Sequence, residues 1–162
     1  MDLLIIRHAI AVDPEDGRFK DAERPLTKEG AEKFKEVAAG LAGILPAPDV
    51  LLTSPLLRAV ATAEIAGKAL GIAPRVEPRL AGRSVTEILA AVKEQGGKNL
   101  LAIVGHEPTV SQLLAGLLGT PHDLRLGFKK GGAALVDLGE AGTGPGHLLW
   151  FAPPKLLRRI NR

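Results

Sequence analysis

"LLIIRHAIAV", residues 3–12, runs four aliphatic residues together and then sets an arginine beside a histidine. A short apolar run of leucine and isoleucine is how a strand covered on both faces reads. Its end at Arg7-His8 fits two readings. Either the chain has reached solvent, or a strand delivers a paired charge to a site. Where the neighbouring segments put their own polar residues distinguishes the two.

Residues 11–27, "AVDPEDGRFKDAERPLT", carry no apolar periodicity. Ala31, Phe34, Val37, Ala38, Leu41 and Leu45 then recur at helical spacing, predicting a helix over 28–45 capped by Thr27 and closed by Pro46 and Pro48. "DVLLTS" (49–54) reads as a second buried strand. A helix follows over 55–70, with Pro55 in its opening turn and Gly71 just past its end. Residues 73–78 read as a short edge strand or loop, and Val85 to Val92 as a further helix ended by Gly96-Gly97. "NLLAIVGH" (99–106) is a third buried strand, followed by a helix over 108–119. "GGAALVDL" (131–138) and "HLLWFA" (147–152) flank a glycine-rich stretch as a hairpin would. Strands alternating with helices predict an α/β three-layer sandwich, a mostly parallel central sheet with helices on both faces, in one domain over 1–162.

Composition narrows the function classes. The chain has 162 residues and no cysteine, which removes disulfides, thiolate metal sites and a cysteine nucleophile together. No leader-like segment opens it, and nothing approaches the roughly 18 apolar residues of a membrane span, so a cytoplasmic location is expected. The isoelectric point of 9.4 suggests nucleic acid. Yet the tail "KLLRRINR" holds Lys155, Arg158, Arg159 and Arg162 with no acid, and without those four cations the net charge of +3 becomes −1. With four Phe, one Trp and no Tyr, stacking platforms for single strands are scarce. The tail reads as a basic amphipathic helix, and no nucleic-acid partner is expected.

In an open parallel sheet, ligands bind beyond the carboxyl ends of the strands. The first buried strand ends there in Arg7-His8. After the second, Arg58 falls in the first turn of a helix, where a cation works against the helix dipole by some tenths of a kcal/mol. The third ends in Gly105-His106. Each feature alone has an ordinary structural explanation: a solvated strand end, or a capping histidine. Together they place two arginines and two histidines on one rim. Arginine forks bind tetrahedral oxyanions, and the helix N-terminus after Glu107-Pro108 adds partial positive charge. A neutral imidazole in such a cradle is a competent nucleophile toward phosphorus, and flanking arginines favour its neutral form. Four histidines without a carboxylate cluster make a poor metal set, so neither metal nor cofactor is expected.

"LIIRHA", "SPLLRAVATAE" and "VGHEP" together resemble the signatures of the histidine phosphatase superfamily, also called phosphoglycerate-mutase-like, and the resemblance spans nearly the whole chain. It implies that His8 is phosphorylated during turnover, that Arg7 and Arg58 hold the phosphoryl group, and that His106 completes the pocket. "DAERPLTKEG" resembles a segment of the small bacterial SixA-type phosphohistidine phosphatases, which implies that Arg24 and Asp21 stand near the pocket. Read without the resemblance, both are polar loop residues leading to the Thr27 cap. Glu107 joins them as a candidate substrate-binding residue.

Mutase-type and sugar-phosphatase members supply a carboxylate general acid just after the segment resembling "EPRL". Here "AGRS" follows Leu80, with Glu87 and Glu107 the conceivable stand-ins, and lid-sized insertions are absent. A phosphorus–nitrogen bond makes less demand on a general acid than an ester does. The expected substrate is therefore phosphohistidine on a protein. A small phosphate metabolite and a non-catalytic phosphate-binding module are the alternatives.

Overall fold

The structure is a computed structural model describing residues 1–122, 124–140 and 145–160. Strand β1 (Asp2–Arg7) is followed by helix α1 (Lys28–Ile44), β2 (Val50–Thr53), α2 (Leu57–Leu70), β3 (Arg75–Val76) and α3 (Val85–Lys93). Then come β4 (Leu100–Gly105), α4 (Thr109–Leu118), β5 (Ala133–Asp137), β6 (His147–Ala152) and α5 (Pro154–Leu157). The strands form one sheet in the order β3-β2-β4-β1-β5-β6. The first four are parallel, and the β5–β6 pair adds two antiparallel strands at one edge. The mostly parallel α/β sandwich read from the sequence is the architecture observed.

β1 is central and wholly buried from Leu3 to Ile6. Leu4 and Ile6 pack with Phe34, Val37 and Leu41 of α1 and with Ala59 and Ala63 of α2 on one face. Leu3 and Ile5 pack with Ile88 of α3 and Leu113 and Leu114 of α4 on the other. That two-sided burial is why the strand reads as an unbroken apolar run rather than an alternating one. The neighbours β1 and β4 are in register from Asp2 opposite Leu100 to Arg7 opposite Gly105. The helix after β1 lies on one face and the helix after β4 on the other. The connections after β1 and β4 therefore diverge to opposite faces, which opens a crevice at the ends of these strands. Arg7-His8 and His106 sit at that switch point.

Local chemistry sets the helix ends. The Thr27 Oγ1 accepts the Gly30 N–H at 2.9 Å, as the cap pattern predicts. Gly71, at φ 75°, closes α2 in the left-handed region. Pro55 lies outside α2 instead of in its first turn. The Ser54 hydroxyl accepts the Leu56 N–H at 3.3 Å, and the helix starts only at Leu57. Arg58 remains in the opening turn. The basic tail departs further from expectation. Its helix is the single turn α5, and Arg162 lies outside the described residues, as do 141–144 of the glycine-rich stretch. Leu157 is buried, its carbonyl lies over Gly40 of α1, and Arg158 pairs with Glu36 at 3.1 and 3.2 Å. The tail is held by α1 because one apolar side chain and one ion pair fix it there. No helix among the described residues is long and apolar enough to cross a membrane.

Candidate active site

His8 continues β1 past its last strand residue, and its backbone is held at both its N–H and its carbonyl. Its N–H donates to Gly105 of β4 at 3.0 Å, and its carbonyl shares the Gly131 N–H with the Arg7 carbonyl, at 3.0 and 3.1 Å. The next residue, Ala9, donates its N–H to Thr62 Oγ1 at 3.0 Å, and that hydroxyl donates to the Arg58 carbonyl at 2.6 Å. Thr62 therefore ties the loop after β1 to the helix carrying Arg58. Within the His8 ring, Nδ1 lies 2.7 Å from the Ala9 carbonyl. A carbonyl only accepts, so Nδ1 carries the proton and Nε2 keeps its lone pair.

The His106 ring centroid is 5.1 Å from that of His8, with 50° between the planes. His106 Nε2 lies 2.7 Å from the buried Ser54 hydroxyl at the end of β2. With that hydroxyl donating, the His106 proton sits on Nδ1. Both imidazoles are strongly depressed as bases. Burial is the main cause for each. It takes His8 down to about 3, reinforced by His106, Arg58 and Arg7 and opposed by the Ala9 hydrogen bond. It takes His106 down to about 4, reinforced by Arg58, Arg7 and Arg24 and opposed by Asp21. Near neutral pH the site holds neutral imidazoles among cationic guanidinium groups.

Arg58 is 6% exposed. Its Nη1 donates to the Asp21 carbonyl at 2.8 Å and its Nη2 to Asp21 Oδ2 at 3.3 Å. Arg24, also buried, grips the other Asp21 oxygen through Nε and Nη2 at 3.1 and 2.9 Å and the Val12 carbonyl through Nη1 at 2.7 Å. The fold thus brings Asp21 and Arg24 to Arg58 across 37 residues of sequence. The Asp21 carboxyl is held below the usual carboxylate range, first by the Arg24 hydrogen bond and also by the charges of Arg58 and Arg24. Arg7 donates Nη1 to the Phe128 carbonyl at 2.5 Å. Burial lowers its affinity for a proton, and the Glu107 charge offsets this.

Among the described residues, the buried side-chain nitrogens and oxygens without a protein partner are Arg7 Nε, Arg58 Nε and His106 Nδ1. All three belong to the rim read from the sequence. A buried donor left unpaired costs about 1–3 kcal/mol, so three in one site point to an acceptor-rich ligand. A phosphoryl group offers three such oxygens.

The two candidate stand-ins for a general acid differ in their surroundings. Glu107 accepts from the Ser111 N–H at 3.2 Å and the Ser111 hydroxyl at 2.9 Å, and its charge reaches Arg7. Glu87 is exposed in the first turn of α3, where its N–H is capped by Ser84 at 3.2 Å. Sequence reasoning missed Ser54, Thr62, Gly131 and the Phe128 carbonyl. The two hydroxyls carried a faint signal: one ends a buried strand, and the other stands one turn after Arg58. Among the described residues no group of three or more His, Asp or Glu side chains is arranged to hold a metal ion.

Sequence and fold both resemble those of known proteins. The chain is 30% identical over 150 residues to the phosphohistidine phosphatase SixA of Escherichia coli, covering 89% of each chain. It is 38% identical over 145 residues to an uncharacterised protein of Picosynechococcus, covering 87% of each. Its structure superimposes on that of the protein histidine phosphatase SixA complexed with tungstate, with a TM-score of 0.83, 28% identity and coverage of 97% of this chain and 99% of that one. The sequence model of the histidine phosphatase superfamily (branch 1) matches residues 3–88, the span that carries Arg7, His8 and Arg58, and the chain belongs to that superfamily.

Proposed function

We propose that the protein hydrolyses phosphohistidine on a protein through a phosphorylated His8. The observation that carries the reading is the His8 ring itself: Nδ1–H is fixed on the Ala9 carbonyl at 2.7 Å, and the imidazole is neutral. The Nε2 lone pair attacks phosphorus. A bond forms from Nε2 to phosphorus as the bond from phosphorus to the substrate imidazole breaks, and that imidazole takes its proton from solvent. Water then attacks the phosphoryl group, the bond to His8 breaks, and phosphate leaves. Arg7 Nε, Arg58 Nε and His106 Nδ1 donate to the three transferring oxygens, and Asp21 and Arg24 hold the Arg58 guanidinium in place.

The choice of substrate rests on the missing acid. Asp21 is locked between two arginines and held ionised, which makes it a poor proton donor. Glu107 accepts from the Ser111 N–H and lies within reach of its hydroxyl, and Glu87 stands exposed in the first turn of α3. An alkoxide leaving group needs a proton in the transition state, whereas an imidazole departs readily. The resemblance to proteins named for phosphohistidine, one of them holding the phosphoryl-shaped anion tungstate, supports the same reading.

The test compares kcat/KM for a phosphohistidine-bearing protein, p-nitrophenyl phosphate and a set of alkyl phosphate metabolites, with and without EDTA. The protein substrate should lead, EDTA should change nothing, and an acid-labile, base-stable label should appear on the wild type and not on His8→Ala. Arg58→Ala should lower kcat by about 10²–10³. A tenfold lead for an alkyl ester would overturn the substrate assignment in favour of a metabolite phosphatase. Full activity in His8→Ala would move the nucleophile elsewhere.

A further inference from the structure

A second concavity, of about 280 Å³, opens on the α1 side of the sheet and begins one residue beyond His8. Its apolar floor is Ala9, Ile10, Phe34 and Val37, closed by Gly131 and Pro154. Four cations stand around it: Lys33, Lys130, Lys155 and Arg158. Lys33 is paired with Glu29 and Arg158 with Glu36. Lys130 and Lys155 are exposed and take part in none of the ion pairs among the described residues. The rim therefore keeps two uncompensated positive charges over a floor that would hold one large apolar side chain.

Its position relative to the nucleophile narrows the occupant. Two wall residues supply the backbone groups that hold His8: the Ala9 carbonyl accepts its Nδ1–H, and the Gly131 N–H bonds the Arg7 and His8 carbonyls. Ala9 and Gly131 thus belong both to the groove wall and to the support of His8. A metabolite occupying the phosphoryl site is too small to fill both, whereas a folded protein presenting a side chain to His8 lays its surface across the groove.

We propose that this groove docks an acidic segment of the phosphohistidine-bearing protein, with one aromatic or leucine side chain on the floor and carboxylates against Lys130 and Lys155. The proposal rests on the protein-substrate reading above. Charge complementarity of this kind steers the encounter, and a pocketed apolar anchor supplies the contact energy.

Two measurements test it. The first titrates the wild type with a fluorescein-labelled pentapeptide, one phenylalanine between two pairs of glutamates, and reads anisotropy. Saturable binding is expected that weakens with rising salt, falls at least tenfold in Lys130→Glu/Lys155→Glu, and is absent for the matching lysine peptide. The second measures turnover. The double variant should raise KM for a phosphohistidine protein at least fivefold with kcat intact, leaving p-nitrophenyl phosphate unaffected. In the wild type, the unlabelled peptide should compete with the protein substrate and not with p-nitrophenyl phosphate, which holds even if the variant folds poorly. An unchanged KM together with no competition overturns the docking role, whatever the peptide titration gives. No peptide binding overturns the groove as an acidic-segment site. Turnover of p-nitrophenyl phosphate without turnover of any phosphohistidine protein instead removes the underlying substrate assignment, and the peptide titration still reports on the groove separately.

Discussion

Dense positive charge beside an imidazole favours its neutral form, and burial acts in the same direction on His8 and His106. Together they keep both rings neutral, at about 3 and about 4 against an ordinary value of 6.5. The sign of the pH effect follows. Below 6.5 the unfolded chain takes up protons on these residues while the folded chain does not. Their contribution to stability is therefore complete above 6.5 and is lost as pH falls toward 4 and 3. The slope is about 1.4 kcal/mol per pH unit for each histidine. Nitrogen-15 NMR of the imidazoles should find His8 as the neutral Nδ1–H tautomer at pH 5.5. Urea titrations at pH 7 and pH 5 should show a smaller loss of stability in His106→Gln than in the wild type. A His8 titration midpoint near 6.5 would contradict this account of the site.

Helix α1 links the site to the tail through two glycines. A Cβ on Gly30 would lie 2.2 Å from the Ile10 carbonyl, and one on Gly40 would lie 2.0 Å from the Leu157 carbonyl. In each case the obstacle is backbone, which cannot rotate aside as a side chain can. Gly40→Ala should therefore displace α5 and cost about 1–3 kcal/mol. That corresponds to about 2–4 °C in Tm per kcal/mol for a chain of this size. Gly116, within α4, has nothing within 4 Å of a built Cβ. Gly116→Ala should instead stabilise by about 0.5–1 kcal/mol, since alanine loses less backbone freedom in a helix. Thermal melts of the two variants should move in opposite directions.

Across the full chain, one parallel-sheet edge gathers cations from β1, the start of α2 and the 21–24 turn, with the two histidines between them. Binding a tetrahedral oxyanion there links ligand affinity to global stability. Tungstate or phosphate at about 100 times its Kd should stabilise the wild type by about 2.7 kcal/mol. Arg58→Ala should lose most of that increment, while Lys130→Glu/Lys155→Glu should retain it, because those lysines line the other groove. Equal stabilisation of wild type and Arg58→Ala would place the anion away from this rim.

The order of elements and the four rim residues were legible from residues alone. Parallel strands all point one way, so whatever follows each buried run arrives at the same edge, and Arg7, His8, Arg58 and His106 could be grouped before any contact was known. Asp21 and Arg24 came within reach only through family resemblance, because nothing local distinguishes an ion-paired loop carboxylate from a solvated one. The remaining features depend on approaches between distant segments. Asp21 meets Arg58 across 37 positions, Ser54 meets His106 across 52, and the Phe128 carbonyl meets Arg7 across 121. The start of α2 and the single-turn tail likewise follow from contacts, since one hydroxyl at Ser54 and one buried side chain at Leu157 outweigh helical propensity. The neutral state of both histidines belongs with these, because the burial that causes it is a property of the packed molecule and of no segment taken alone.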